Sequence, residues 1–464
     1  MLFNSLHFLV FFVFTLSLYY ALPHRFRWFM LLVLSCYFYM VFVPWYVLIL
    51  FAVILIDYLA AFLIAGTTGI GPQLFLFLSL GANLGILFYF KYYNFFIDNV
   101  DVLLHSLHIK NPFVLLEVIL PIGLSFHTFQ AMSYTIEVYR GNQKPEKHLG
   151  IYALYVLFFP QLVAGPIERP QNLLQQFKTK QVFSFSNLRS GLLLMAWGMF
   201  KKAVVADRLA GVVDQCYGTV ETQTTQQMWM GVLCYSFQIY CDFSGYSDIA
   251  VGAARTMGIR LMENFNNPYL ASSVNDFWKR WHISLSGWFR DYVYIPMGGS
   301  KVNMQKYCRN ILVVFALSGL WHGARYTFIT WGLVHALLII IERMVTKNRS
   351  ASMSLIQRVF KIVFTFILLS LTWVFFRSAS IKEACAVFKK LFVYSGQQFN
   401  SLPMNGIEII FSIGLLLVLL YSEKKVKNGF IERSAMYYPL LIVTIAACYF
   451  FGIYNYKQFI YFQF

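Results

Sequence analysis

Charge is scarce in this chain. Only 12% of its 464 residues are Asp, Glu, Lys or Arg, and the acidic ones are the rarer, 20 against 37 basic. A soluble globular domain carries about a quarter of its residues as charges, so that class is excluded. Cysteine is also sparse: Cys36, Cys216, Cys234, Cys241, Cys308, Cys385 and Cys448 sit mostly in or beside apolar runs without metal-ligand spacing, and read as core thiols. There is no P-loop, no GxGxxG after a strand, no GxSxG elbow and no HExxH, which argues against ATP hydrolysis and zinc proteolysis. Internal repeats are absent too, which argues against a transporter built from two related halves.

What is present is apolar: 59% hydrophobic and 19% aromatic residues. Thirteen runs long enough to cross about 30 Å of hydrocarbon follow one another between residues 3–22 and 436–455. Several are short or polar, so the expectation is an all-α polytopic membrane protein with about eleven transmembrane helices. Re-entrant and interfacial helices account for the rest. The first run, MLFNSLHFLVFFVFTLSLYYAL, has no basic leader and no small-residue cleavage site and reads as a retained span. Irregular backbone is tolerated at membrane depth only where protein buries it or it lines a cavity. The polar-interrupted stretches 160–170 and 262–300 are therefore the candidates for a central cavity.

The net charge of +17 does not point to nucleic acid, because the basic residues gather in short loops and not on one amphipathic face. They report topology instead. Clusters across 253–309, 343–361 and 422–433 are placed on the cytoplasmic side. Arg377, Lys382, Lys389 and Lys390 depart from that pattern. The last span then delivers the C-terminus to the outer face.

Three constellations carry the chemistry. In 274–300, VNDFWKRWHISLSGWFRDYVYIPMGGS, a single helix ending before Pro296 puts Trp278, His282, Leu285, Ser286 and Phe289 on one face. Asp276 there can pair with Lys279 or Arg280, and an interfacial helix with basic anchors is the plainer reading. In LSGLWHGARYTFITWG, His322 lies inside an apolar stretch between Gly319 and Gly323, small residues that permit close approach of a helix or ligand. A histidine in such sequence is costly and suits proton transfer, although a backbone carbonyl can also satisfy it. His335 reads as structural. The third run, SFQIYCDFSGYSDIAVG, buries Asp242, Ser244, Tyr246, Ser247 and Asp248, as a packing network or a proton pathway. His127, Gln161 and Glu168 are further candidates for the cavity wall.

The runs LPIGLSFHTFQ, FFPQLVAGPIERP, QIYCDFSGYSDIAVG, ENFNNPYL, DFWKRWHISLSGWFRDYVYIPMGG, LSGLWHGARYTFITWG and the terminal FIYFQF resemble the membrane-bound O-acyltransferase (MBOAT) family, in its bacterial alginate O-acetyltransferase-like branch. The resemblance extends from about residue 120 onward; His127 stands where an aromatic residue is expected. It implies one integral-membrane domain over 1–464, with peripheral N-terminal helices in 1–110, a catalytic core in 113–345 and C-terminal helices in 350–464, around a tunnel. It implies that His322 is the active-site histidine and His282 a second polar position of the site. Trp278, Arg280, Ser286, Trp321, Asp242 and Tyr246 are expected to line the substrate path. Tyr461, in FIYFQF, is a possible acyl relay or an aromatic interfacial anchor.

The function so implied is transfer of an acetyl group from a cytoplasmic thioester, acetyl-CoA or an acylated carrier protein, with no bound cofactor or metal. The acyl group moves toward an extracytoplasmic polysaccharide, alginate-like exopolysaccharide or peptidoglycan, through an outer-face SGNH-type acetyltransferase partner. The setting is the bacterial cytoplasmic (inner) membrane, with membrane lipids and the polymer as partners. A D-alanyl transferase for teichoic acid is the nearest alternative, and the PYLASSVNDFW and YIPMGGSK contexts favour the acetyl branch. A secondary transporter is the alternative from another class.

Overall fold

The computed structural model describes residues 1–117, 119–346, 354–393, 404–427, 436–454, 459 and 460, and among these every regular element is a helix. Five helices are long and apolar enough to cross a membrane: Tyr46–Gly66, Gly71–Ser106, Tyr326–Val345, Leu355–Arg377 and Gly406–Lys427. Leu6–Ala21 and Tyr437–Phe451 are apolar but shorter. Other apolar runs are divided. The run 113–135 becomes helical only at Leu124, after Gly123 turns the chain at φ 76°, and the run 150–165 holds the nine-residue helix Leu149–Leu157 followed by irregular backbone.

The chain forms two compact units, one of residues 1–192 with 250–262, the other of 193–249 with 263–464. In the first, a lone carboxylate fastens two spans together: Asp57 accepts from Ser79 Oγ at 2.6 Å and from Asn83 Nδ2 at 2.8 Å. Buried without such donors, it would be strongly destabilising. The irregular stretch 158–169 is held by side chains in place of helical bonds. Gln161 Nε2 donates to Tyr155 O at 3.0 Å, Tyr155 Oη donates to Glu168 O at 2.9 Å, and the Glu168 carboxylate receives Asn172 Nδ2 at 2.6 Å and the Met262 amide. This is how non-helical backbone persists among buried residues.

The second unit centres on the antiparallel pair Met304–His322 and Tyr326–Thr346. These two backbones touch: a Cβ at Gly319 would lie 2.2 Å from Phe328 O, and one at Gly332 2.1 Å from Phe315 O. Gly198 and Gly245 permit a second close crossing, between Phe185–Met199 and Thr225–Thr256. Just beyond it the backbone widens into a π-helix, Phe200–Ala206, that carries Lys201 and Lys202.

Those lysines organise a buried ionic cluster. Lys201 reaches Asp248 at 2.6 Å and Glu423 at 2.8 Å, Lys202 reaches Asp207 at 2.8 Å and Asp242, and Lys427 reaches Glu423 at 3.0 Å. Asp242 and Asp248 are thus paired carboxylates, with the lysines as their counterions. Tyr240 Oη also donates to Glu423.

Candidate active site

Both histidines singled out by the sequence belong to the second unit, and the fold brings them together. The path to that arrangement differs from the single helix expected over 274–295. The chain forms Val274–Trp278, breaks, and restarts as Ile283–Phe289, with His282 at the break in the left-handed region at φ 45°. A non-glycine residue there carries strain of order 1–3 kcal/mol and persists only when its surroundings hold it.

The hold comes from the strand-like segment beside it. Ile283 N donates to Asn264 O at 2.9 Å and Asn266 N donates to Arg280 O at 2.9 Å. Asn264 Oδ1 receives the Ser284 amide at 3.3 Å and the Ser284 hydroxyl at 2.9 Å, taking the place of an N-cap side chain for the new helix. The same oxygen lies 3.1 Å from His282 Nδ1. His282 is fully buried, with Phe243 edge-on at 4.7 Å and Phe265 stacked at 6.4 Å between ring centres. Burial pushes its pKa down to about 3, so the ring is neutral.

His322 ends its helix and is 2% exposed. Trp321, Trp331 and Phe376 surround its ring, with centres at 5.1, 5.2 and 5.3 Å. His282 lies 6.4 Å away, and Trp321 is 5.9 Å from His282, so one indole touches both imidazoles. The flanking glycines serve the hairpin: the space beside Gly319 and Gly323 is filled by Phe328.

The other expected site residues divide. Trp321 is in the site. Trp278 packs on Trp331 at 5.7 Å and donates to His335 Nδ1 at 3.3 Å. With Thr372 Oγ1 3.0 Å from its Nε2, His335 has both nitrogens engaged, as a structural histidine should. Arg280 pairs with Asp276 at 2.8 Å, and Ser286 Oγ donates back to Trp281 O at 3.2 Å. Asp242 and Tyr246 instead meet the C-terminal segment. Ile460 N donates to Asp242 at 2.7 Å, and the Phe459 ring lies 4.8 Å from Tyr246 with the Lys202 ammonium 4.7 Å over it. Tyr461 lies outside the described residues. His127, Gln161 and Glu168 belong to the first unit.

Sequence reasoning missed Asn264, Lys201 and Lys202. The adjacent lysines inside an apolar run were the available signal, as counterions for Asp242 and Asp248. Asn264 had none beyond its place in ENFNNPYL.

The fold is that of a helical, multi-pass membrane protein, with two buried imidazoles side by side among aromatic rings. Residues 146–381 match the membrane-bound O-acyltransferase family, and the chain belongs to it. It is 38% identical to the probable alginate O-acetylase AlgI of Pseudomonas aeruginosa, across 88% of this chain and 78% of that protein. It is 36% identical to the peptidoglycan O-acetyltransferase of Helicobacter pylori, across 73% and 68%. The teichoic acid D-alanyltransferase of Bacillus subtilis shares 32% identity across 47% and 58%. The chain is an O-acyltransferase.

Proposed function

We propose that this O-acyltransferase takes an acetyl group from a thioester on the cytoplasmic side, acetyl-CoA or an acylated carrier protein, and passes it outward toward a cell-surface polysaccharide. The alginate-like exopolysaccharides and peptidoglycan are the candidate polymers, with an SGNH-type partner on the outer face of the bacterial inner membrane. The observation that carries this reading is the meeting of His282 and His322, forty residues apart in the chain, in one buried aromatic shell.

The hairpin supports the direction. Met304–His322 follows Lys301 and carries Lys306 and Arg309 in its first turns, and its partner helix carries Arg343 in its last turn. Nineteen residues of helix put His322 about 28 Å from that basic end. A donor held by its phosphates at the basic loops would extend its acyl end toward His322.

In the step proposed, the acceptor hydroxyl oxygen bonds to the thioester carbonyl carbon while His322 takes its proton. The C–S bond then breaks, and the thiolate leaves with the proton returned from the imidazolium. General-base help of this kind contributes about 10²–10⁴-fold. His282 either orients the site or hydrogen-bonds the developing oxyanion. A D-alanyl donor would use the same groups; the longer match to the acetyl-transferring relatives favours acetyl.

Tyr461 is the proposed relay, its hydroxyl holding the acetyl group before an outer-face serine receives it. The anchorage of Phe459 and Ile460, the residues just before Tyr461 in the chain, on Lys202, Tyr246 and Asp242 supports this reading. Tyr461→Phe keeps the ring and removes the nucleophile. In cells whose only such transferase is this one, acetyl esters on the secreted or wall polymer should fall to background. Wild-type ester content in that variant would leave Tyr461 an anchor.

A further inference from the structure

The contacts of Asn264 decide what His282 offers to the site. A backbone N–H only donates, so the Asn264 atom that receives the Ser284 amide is the carbonyl oxygen, and the Ser284 hydroxyl donates to it as well. The amide nitrogen of Asn264 faces the other way and donates to Ser247 Oγ at 3.3 Å. An amide oxygen has no proton to give. His282 Nδ1, 3.1 Å from it, must therefore be the protonated nitrogen. In a neutral imidazole the lone pair then resides on Nε2. Its ring neighbours include Phe243, Phe265, Trp321 and His322, and burial disfavours the doubly protonated form.

We propose that Asn264 is a positioning residue for acyl transfer: it locks His282 in the Nδ1–H tautomer, so that His282 presents a hydrogen-bond acceptor, not an oxyanion donor, toward His322. This rests on the acyl-transfer reading of the histidine pair and decides between the two roles open to His282. At 6.4 Å between ring centres the two imidazoles are too far apart for a direct hydrogen bond, and one water oxygen can bridge them. That water gives one hydrogen to the lone pair on His282 Nε2 and accepts from one His322 nitrogen, which leaves the other His322 nitrogen as the base for the acceptor hydroxyl. The oxyanion must then find its donors elsewhere.

The test uses the purified protein in lipid nanodiscs, labelled with ¹⁵N-histidine, with His282→Gln identifying the resonances. Wild type should show a pyrrole-type Nδ1 and a pyridine-type Nε2 for His282, and Asn264→Ala should populate the opposite tautomer. With acetyl-CoA as probe and thiol release as readout, Asn264→Ala should lower kcat by about 10²-fold with KM unchanged. Asn264→Asp keeps both the helix cap and the acceptor for Nδ1–H. It should retain activity to within about 10-fold, and its acid limb should move to higher pH, because a carboxylate beside the imidazole favours the imidazolium. An Nε2–H signal in wild type, an Asn264→Ala variant with wild-type kcat, or an Asp variant as inactive as Ala overturns the proposal. The spectrum needs no substrate, so it decides on the tautomer even where acetyl-CoA is not turned over. A His322→Ala variant that still releases thiol overturns the reading of the site instead.

Discussion

Replacing His322 by alanine is expected to abolish acyl transfer while leaving a protein that inserts and purifies normally. The ring is the general base proposed for the acceptor hydroxyl, and its removal forfeits the roughly 10²–10⁴-fold such a group supplies. The surrounding shell of Trp321, Trp331 and Phe376 comes from three helices that touch one another without it. Stability should therefore fall only by the modest amount expected for a cavity. His322→Gln, which fills more of the space and cannot act as a base near neutral pH, should be as inactive as alanine. Polymer acetylation in cells and thiol release in vitro are the two readouts. Activity within a few-fold of wild type in either variant would move the chemistry away from this residue.

Removing the amine of Lys201 should have the largest effect on stability. Lys201 is fully buried between Asp248 and Glu423, with Ser244 Oγ at 3.2 Å, and a Lys201→Met variant leaves two buried carboxylates facing each other. Breaking a buried pair from one side typically costs about 3–5 kcal/mol. Lys427, 3.0 Å from Glu423 and 3.6 Å from Asp248, offsets part of this. The expected observation is a large drop in the thermal midpoint of the detergent-solubilised protein. Adding Glu423→Gln and Asp248→Asn to Lys201→Met should recover much of it, because the uncompensated charge is then gone. An unchanged midpoint in Lys201→Met alone would mean that the cluster is more hydrated than its burial implies.

Much of the site could be read from the chain. The expense of an imidazole in apolar sequence singled out His282 and His322, and the motifs around them pointed to the family. The break at His282 could not be read, because the 274–295 pattern satisfies helical periodicity throughout. What interrupts it is Asn264, whose backbone and side-chain oxygens cap a new helix starting at Ile283. Asp242 and Tyr246 were read as lining the substrate path, and their nearest partners turn out to include the C-terminal segment more than two hundred residues away.

Composition and hydropathy by themselves determined that this is a helical membrane protein, and motif content determined its enzyme class, because both depend on residue type and local order alone. Which imidazole nitrogen bears a proton, which lysine neutralises which carboxylate, and which indole touches both histidines were decided only by tertiary structure. The deciding contacts join residues distant in the chain, among them Asn264 with His282, 18 positions apart, and Lys201 with Glu423, 222 apart. Local periodicity carries no information about such pairs; helix crossings permitted by glycine and a few buried hydrogen bonds select them.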